Sequence, residues 1–203
     1  MKKLIVMFVC VVTVGFALCE NVHAEAYVHD GFFLRLAPGI GWKDTSSDAG
    51  GNSLKMTGVS GLFNFAIGGA VSQDLILHLD LSGVNSSDPT VKRNGTDVSS
   101  NYSSSSTSLV GIGMTYYFPS NFYLTGAAGM AGASTKSNGS TVRTDTGYGA
   151  DVMVGKEWWV SDNWGLGIAG QFLYTNCPSK TSVPGRPDVK STSFGLLFSA
   201  TYN

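Results

Sequence analysis

GKEWWVSDNWGLGIAGQFLY, residues Gly155–Tyr174, reads as two strands folded back on a very short turn. On the second arm Trp164, Leu166, Ile168, Phe172 and Tyr174 share one parity, and Gly165, Gly167, Ala169 and Gln171 share the other. Alternation with a period of two is the mark of a strand with two unlike faces. One face is large and apolar, the other small or polar. Trp158, Trp159 and Trp164 crowd the Ser161-Asp162-Asn163 turn. Aromatic rings with a polar edge gather where hydrocarbon meets water, so this hairpin predicts a piece of a membrane-spanning barrel.

The same pattern extends outward in both directions. Strands are expected at about Phe32–Trp42, Thr57–Val71, Leu75–Gly83, Thr107–Phe118, Phe122–Ala133, Gly147–Trp159, the second arm from Trp164, and Thr192–Tyr202. The third alternates most cleanly, with Leu75, Leu77, Leu79 and Leu81 against Ile76, His78, Asp80 and Ser82. Ser72-Gln73-Asp74, Pro119-Ser120-Asn121 and Ser161-Asp162-Asn163 read as tight turns. The polar stretches 43–55, 85–106, 134–146 and 175–190 read as long loops, that at 85–106 mobile for want of apolar residues. Short and long connections alternate strictly around an even number of strands. This predicts an all-β, eight-stranded antiparallel up-and-down transmembrane β-barrel, with short periplasmic turns and longer external loops.

Volume decides which face is inside. A soluble barrel would turn the apolar rows inward, but eight strands enclose room only for tightly fitted side chains or one small ligand. The Phe, Leu, Ile, Val, Met, Trp and Tyr rows would overfill that space. The face of Gly, Ala, Ser, Thr, Asn, Asp and Arg fits easily. The apolar rows are therefore expected to face lipid, with every strand paired and the sheet closed. A mean hydropathy of +0.10 agrees, because alternation hides hydrophobicity in the average.

Lys2 and Lys3, the apolar run Leu4–Leu18 and Val22-His23-Ala24 form a secretory signal, giving a cleaved segment 1–24 and a barrel over 25–203, with Ala24-Glu25-Ala26 as an alternative cleavage site. Leu18 before Cys19 does not suit lipidation. Cleavage leaves Cys177, expected as an exposed or half-buried loop thiol without a disulfide. Charged residues are 13% of the chain and the net charge is -1, so nothing attracts nucleic acid. Export without a helical anchor leaves periplasm, secretion or the outer membrane, and the barrel pattern selects the outer membrane of a Gram-negative cell.

The chain resembles the small eight-stranded outer-membrane proteins of the OmpX/OmpA-transmembrane-domain type. The likeness rests on the opening Asp30-Gly31-Phe32-Phe33-Leu34-Arg35, the Trp158-Trp159…Asn163-Trp164 hairpin and the closing Phe194–Tyr202. It implies outer-membrane lipids, lipopolysaccharide and phospholipid, as surroundings, and the barrel-assembly machinery as partner during biogenesis. Such families end in an aromatic residue read by that machinery; here Tyr202 is penultimate and Asn203 last.

Arg35, Asn64, His78, Asp80, Asp151, Glu157 and Gln171 form the expected polar network of the lumen, with Arg35 paired to one or more of Asp80, Asp151 and Glu157. Trp42, Trp158, Trp159, Trp164, Tyr174 and Tyr202 form the expected aromatic girdle. His78, Asp80 and Ser82 share one strand face, an implausible layout for a nucleophile and its base. His29 is expected at the periplasmic rim. No metal cluster or cofactor motif stands out, and Gly111-x-Gly113 and Gly165-x-Gly167 lie in strands rather than before helices. No appended domain is expected. The reading is a non-enzymatic barrel with a plugged lumen and external loops for surface interaction or membrane integrity, whose external ligand the side chains do not name. The alternatives are a narrow channel for ions or small solutes and, more remotely, a lipid A-modifying enzyme.

Overall fold

The computed structural model describes residues 28–98, 102–180 and 187–203. The signal segment 1–24 lies outside them. Eight long strands make the wall: β1 (Phe32–Ala49), β2 (Asn52–Ser72), β3 (Leu75–Ser87), β6 (Tyr102–Phe118), β7 (Phe122–Ser137), β9 (Gly147–Trp159), β10 (Trp164–Pro178) and β11 (Asp188–Tyr202). Each pairs antiparallel with its sequence neighbour in the ring, and β1 pairs with both β2 and β11, which closes the cylinder. Closure removes every edge from the hydrocarbon, where an unpaired backbone amide would cost several kcal/mol. Three short strands extend the long-connection end: β4 (Thr90–Arg93) pairs onto β2, β5 (Thr96–Asp97) onto β4, and β8 (Ser140–Arg143) onto β7. Among the described residues no helix is long and apolar enough to cross a membrane.

The wall has the predicted two faces. Outward-facing Ile40 is 65% exposed, Leu196 72% and Phe194 61%. Exposed apolar area on this scale belongs against lipid, not water. Trp164 pairs with Tyr202 at one end of β10, and Tyr174 lies ten residues further along. At ~3.3 Å per residue and a tilt of roughly 40°, that separates the two aromatic levels by about 25 Å, the height of an outer-membrane apolar band.

Two expectations need correction. The described residues of the stretches expected as loops are mostly strand, while 99–101 and 181–186 lie outside the described residues. β1 and β2 stay paired from Lys43↔Gly58 to Ala49↔Asn52, turning on Gly50-Gly51 with φ of 55° and 85°. Asn94-Gly95 and Asn138-Gly139, all with positive φ, turn the β4–β5 and β7–β8 hairpins. In water a strand ribbon needs no apolar face, and Asn-Gly is the dipeptide that closes a two-residue hairpin. Polar composition there marks the level above the membrane rather than the absence of strand. Second, the inner face is not made only of small and polar groups. Phe33, Ile76, Leu109, Tyr117, Tyr123, Met153 and Leu173 are all buried inside, at 2% exposure or less.

Candidate functional site

The lumen is built in layers because register fixes the height at which each inward residue enters. At the short-turn end, His29 stacks on Tyr117 with ring centroids 3.4 Å apart and 10° between planes. Trp159, expected in the girdle, has the parity of Glu157 and stacks at 4.9 Å on His29 instead. Burial pushes the His29 imidazole below its usual 6.5, against the pull of nearby Asn203 and Glu157. Asn203 turns inward and is 1% exposed, with its backbone N–H donating to Asn163 O at 3.0 Å.

Above this floor lies Glu157. Its carboxylate accepts from Tyr117 at 3.0 Å, Thr201 at 2.5 Å and Ser199 at 3.4 Å. Three hydroxyls from two other strands, β6 and β11, thus converge on one acid.

Arg35 comes next and is fully buried. The expected ion pair is absent. Lys55 pairs with Asp44 and Lys92 with Asp97, both toward the long-connection end. Arg35 instead donates across the lumen to Thr125 Oγ1 at 3.1 Å and to Met153 Sδ at 3.9 Å. Its guanidinium also lies 5.1 Å from the Tyr123 ring centroid and 5.5 Å from that of Phe33. Arg readily sits on aromatic faces because its planar cation is weakly hydrated. Tyr123 reaches the axis because Gly155 faces it: a Cβ there would meet the Tyr123 ring at 2.5 Å. Thr125 in turn bonds Thr115, and Thr115 bonds His78 Nε2 at 3.1 Å.

Asn64, Asp80, Asp151 and Gln171 meet around Ser82, which the network expected from sequence did not include. Asn64 Nδ2 donates to Asp80 at 2.8 Å and to Ser82 at 3.0 Å. Gln171 Nε2 donates to Asp151 at 2.7 Å and to Ser82 at 3.3 Å. Ser82 Oγ touches Asp80 at 2.9 Å and Asp151 at 2.5 Å. The signal for Ser82 was its parity with His78 and Asp80; nothing local foretold that β9 would bring Asp151 opposite.

Higher still, Leu62, Leu109, Leu173 and Leu197 are buried inside, each at 4% exposure or less. Beyond them Lys43 donates to Ser105 at 3.1 Å, and Thr45, Ser191 and Thr107 exchange hydroxyl bonds. Cys177 is a free thiol but is buried within β10, not in a loop. Of the remaining aromatic candidates, Trp42, Trp158 and Trp164 are exposed on the outer face, and Tyr174 and Tyr202 are half-buried on the outward parity. Trp164 and Tyr202 meet edge to face at 5.4 Å. Among the described residues no group of three or more His, Cys, Asp or Glu could hold a metal. His78 meets Thr115 rather than Ser82, so no hydrolytic relay assembles on this strand.

Closure, an apolar outer wall and layered inward polar groups define an eight-stranded transmembrane β-barrel. No protein-family model matches the sequence, and no curated protein matches it. Among solved structures, neisserial surface protein A (NspA) is 17% identical, with a TM-score of 0.50 over 84% of this chain and 96% of that one. The outer membrane protein OprG from Pseudomonas aeruginosa is 11% identical, with a TM-score of 0.51 over 86% and 98%. At such identities the likeness is one of fold, that of the small outer-membrane β-barrels.

Proposed function

We propose that this chain is a non-enzymatic barrel of the Gram-negative outer membrane, with a plugged lumen and a working surface on its outer strand extensions. One observation carries the reading: Phe33, Arg35, Tyr117, Tyr123 and Met153 are each at most 1% exposed and interleave across the bore. Side chains packed to interior density leave no continuous water path. The functional contacts are then left to the hairpins beyond the membrane, the part of a rigid barrel free to vary. Outer-membrane lipids would surround the wall, and the barrel-assembly machinery would act during biogenesis. Reconstituted in planar bilayers, the wild-type protein is expected to give a flat current trace. A steady unit conductance would overturn the reading.

A narrow ion path is the second reading, favoured by the hold on Arg35. A hydroxyl and a thioether hold a guanidinium less tightly than a carboxylate would. In that case Arg35→Ala should open a measurable conductance. If the variant stays as silent as the wild type, the channel reading fails.

A further inference from the structure

On the outer wall, β6 and β7 change character at one height. Outward residues on β6 pass from Ile112 and Val110, 60% and 45% exposed, to Ser108 and Ser106. On β7 they pass from Met130, 49% exposed, to Gly132 and Ser134. The register pairs these residues directly: Val110↔Met130, Ser108↔Gly132, Ser106↔Ser134. Tyr148, 62% exposed, sits beside Met130 at the same level. This line is where the hydrocarbon ends on the long-connection side.

A cleft of about 260 Å³ opens just above it, where β8 folds back onto β7. Its lining includes Ser106, Ser108, Gly132, Ser134, Arg143 and Thr144, and no carboxylate. Arg143 is the register partner of Ser134, so both side chains stand on the same face of the sheet. Lys136, two residues beyond Ser134, adds a second cation on that face. Ser106 gives its hydrogen to Asn85 at 2.7 Å, which leaves Ser108 and Ser134 as hydroxyl donors.

A guanidinium beside hydroxyl donors, with no acid in the lining, suits a phosphate group. The cleft lies on the lipid-facing wall at the polar boundary, so the phosphate that reaches it is carried on a lipid. We propose that this cleft binds the phosphate of an outer-leaflet lipid headgroup, with Arg143 as the cation and Ser108 and Ser134 as donors. The proposal rests on the membrane-spanning reading.

The test is native mass spectrometry of the barrel released from phosphatidylcholine bilayers that contain phosphatidic acid. The wild type should retain phosphatidic acid, whose phosphate carries no attached cation, over phosphatidylcholine, whose choline cation neutralises its phosphate and is repelled by Arg143 and Lys136. Arg143→Gln should reduce that preference about fivefold, as expected for loss of one charge-assisted phosphate contact. Arg143→Lys should keep part of it, and Lys156→Gln, at the opposite rim, should keep all of it. Equal retention of both lipids by the wild type, or full preference in Arg143→Gln, overturns the site. A chain that folds and inserts without preference sinks only this proposal; one that never enters bilayers sinks the membrane reading with it.

Discussion

The two halves of the lumen are held by different means. Toward the short turns, two side chains gather several partners each: Glu157 takes three hydroxyls, and Ser82 touches two acids and two amides. Toward the long connections, a ring of leucines gives way to Lys43, whose bond is to a single serine hydroxyl. The difference teaches where directional bonding is concentrated. Glu157 and Ser82 each tie several strands together, whereas the upper half depends on shape and on weak hydroxyl exchange. Deletion should therefore cost much below and little above.

The largest effect is expected at Glu157. Glu157→Ala leaves the Tyr117, Thr201 and Ser199 hydroxyls facing an empty bore. Several stranded donors at a buried site should cost about 3 kcal/mol. Urea unfolding of the reconstituted barrel, read by the shift in cold electrophoretic mobility, measures it. A loss below about 1 kcal/mol, the worth of one ordinary hydrogen bond, would break the claim that this acid organises the floor.

Lys43→Met sharpens the contrast from the other half. Lys43 is 1% exposed, with Ser105 as its hydrogen-bond partner, while its neighbour Asp44 is engaged with Lys55. An ammonium buried on one hydroxyl carries a desolvation cost that a methionine of similar length does not. The variant should be neutral or up to about 1 kcal/mol more stable in the same unfolding assay. A loss as large as that of Glu157→Ala would mean that the halves do not differ.

The legibility of the chain follows from the range over which each feature is encoded. A strand's two faces are written at every second residue, so the eight wall strands and their tight turns could be read from residues alone. The extensions above the membrane were not, because the stretches around Ser46, Ser104 and Lys136 are polar on both faces and carry no apolar alternation. Arg35 could be placed inside the bore but not given its partners. Whether it meets Asp80 or Thr125 depends on how far each strand slides past the next, and stagger summed around a ring leaves no local trace. Trp159 is a different kind of miss: its parity with Glu157 was visible, but three tryptophans at one turn suggested a single girdle. Ser82 falls outside the network expected from sequence because its partners come from β2, β9 and β10.

The smallest expected effect tests whether the floor of the lower half is sealed from water. His29 is 4% exposed between Tyr117 and Trp159, and burial lowers its proton affinity while Asn203, Glu157, Asn121 and Asp74 raise it. The folded barrel thus binds this proton less readily than the unfolded chain, whose imidazole titrates near 6.5. As pH falls below that value the unfolded state takes up the proton first, so stability drops. Above it both states are neutral and the contribution is constant. The urea midpoint should therefore fall between pH 7.5 and pH 5.5, chosen as about one unit either side of the free imidazole value. His29→Phe keeps the stacked ring without the titrating nitrogens and should flatten that slope. An equal slope in the variant would place the proton uptake elsewhere and show that the imidazole is open to water.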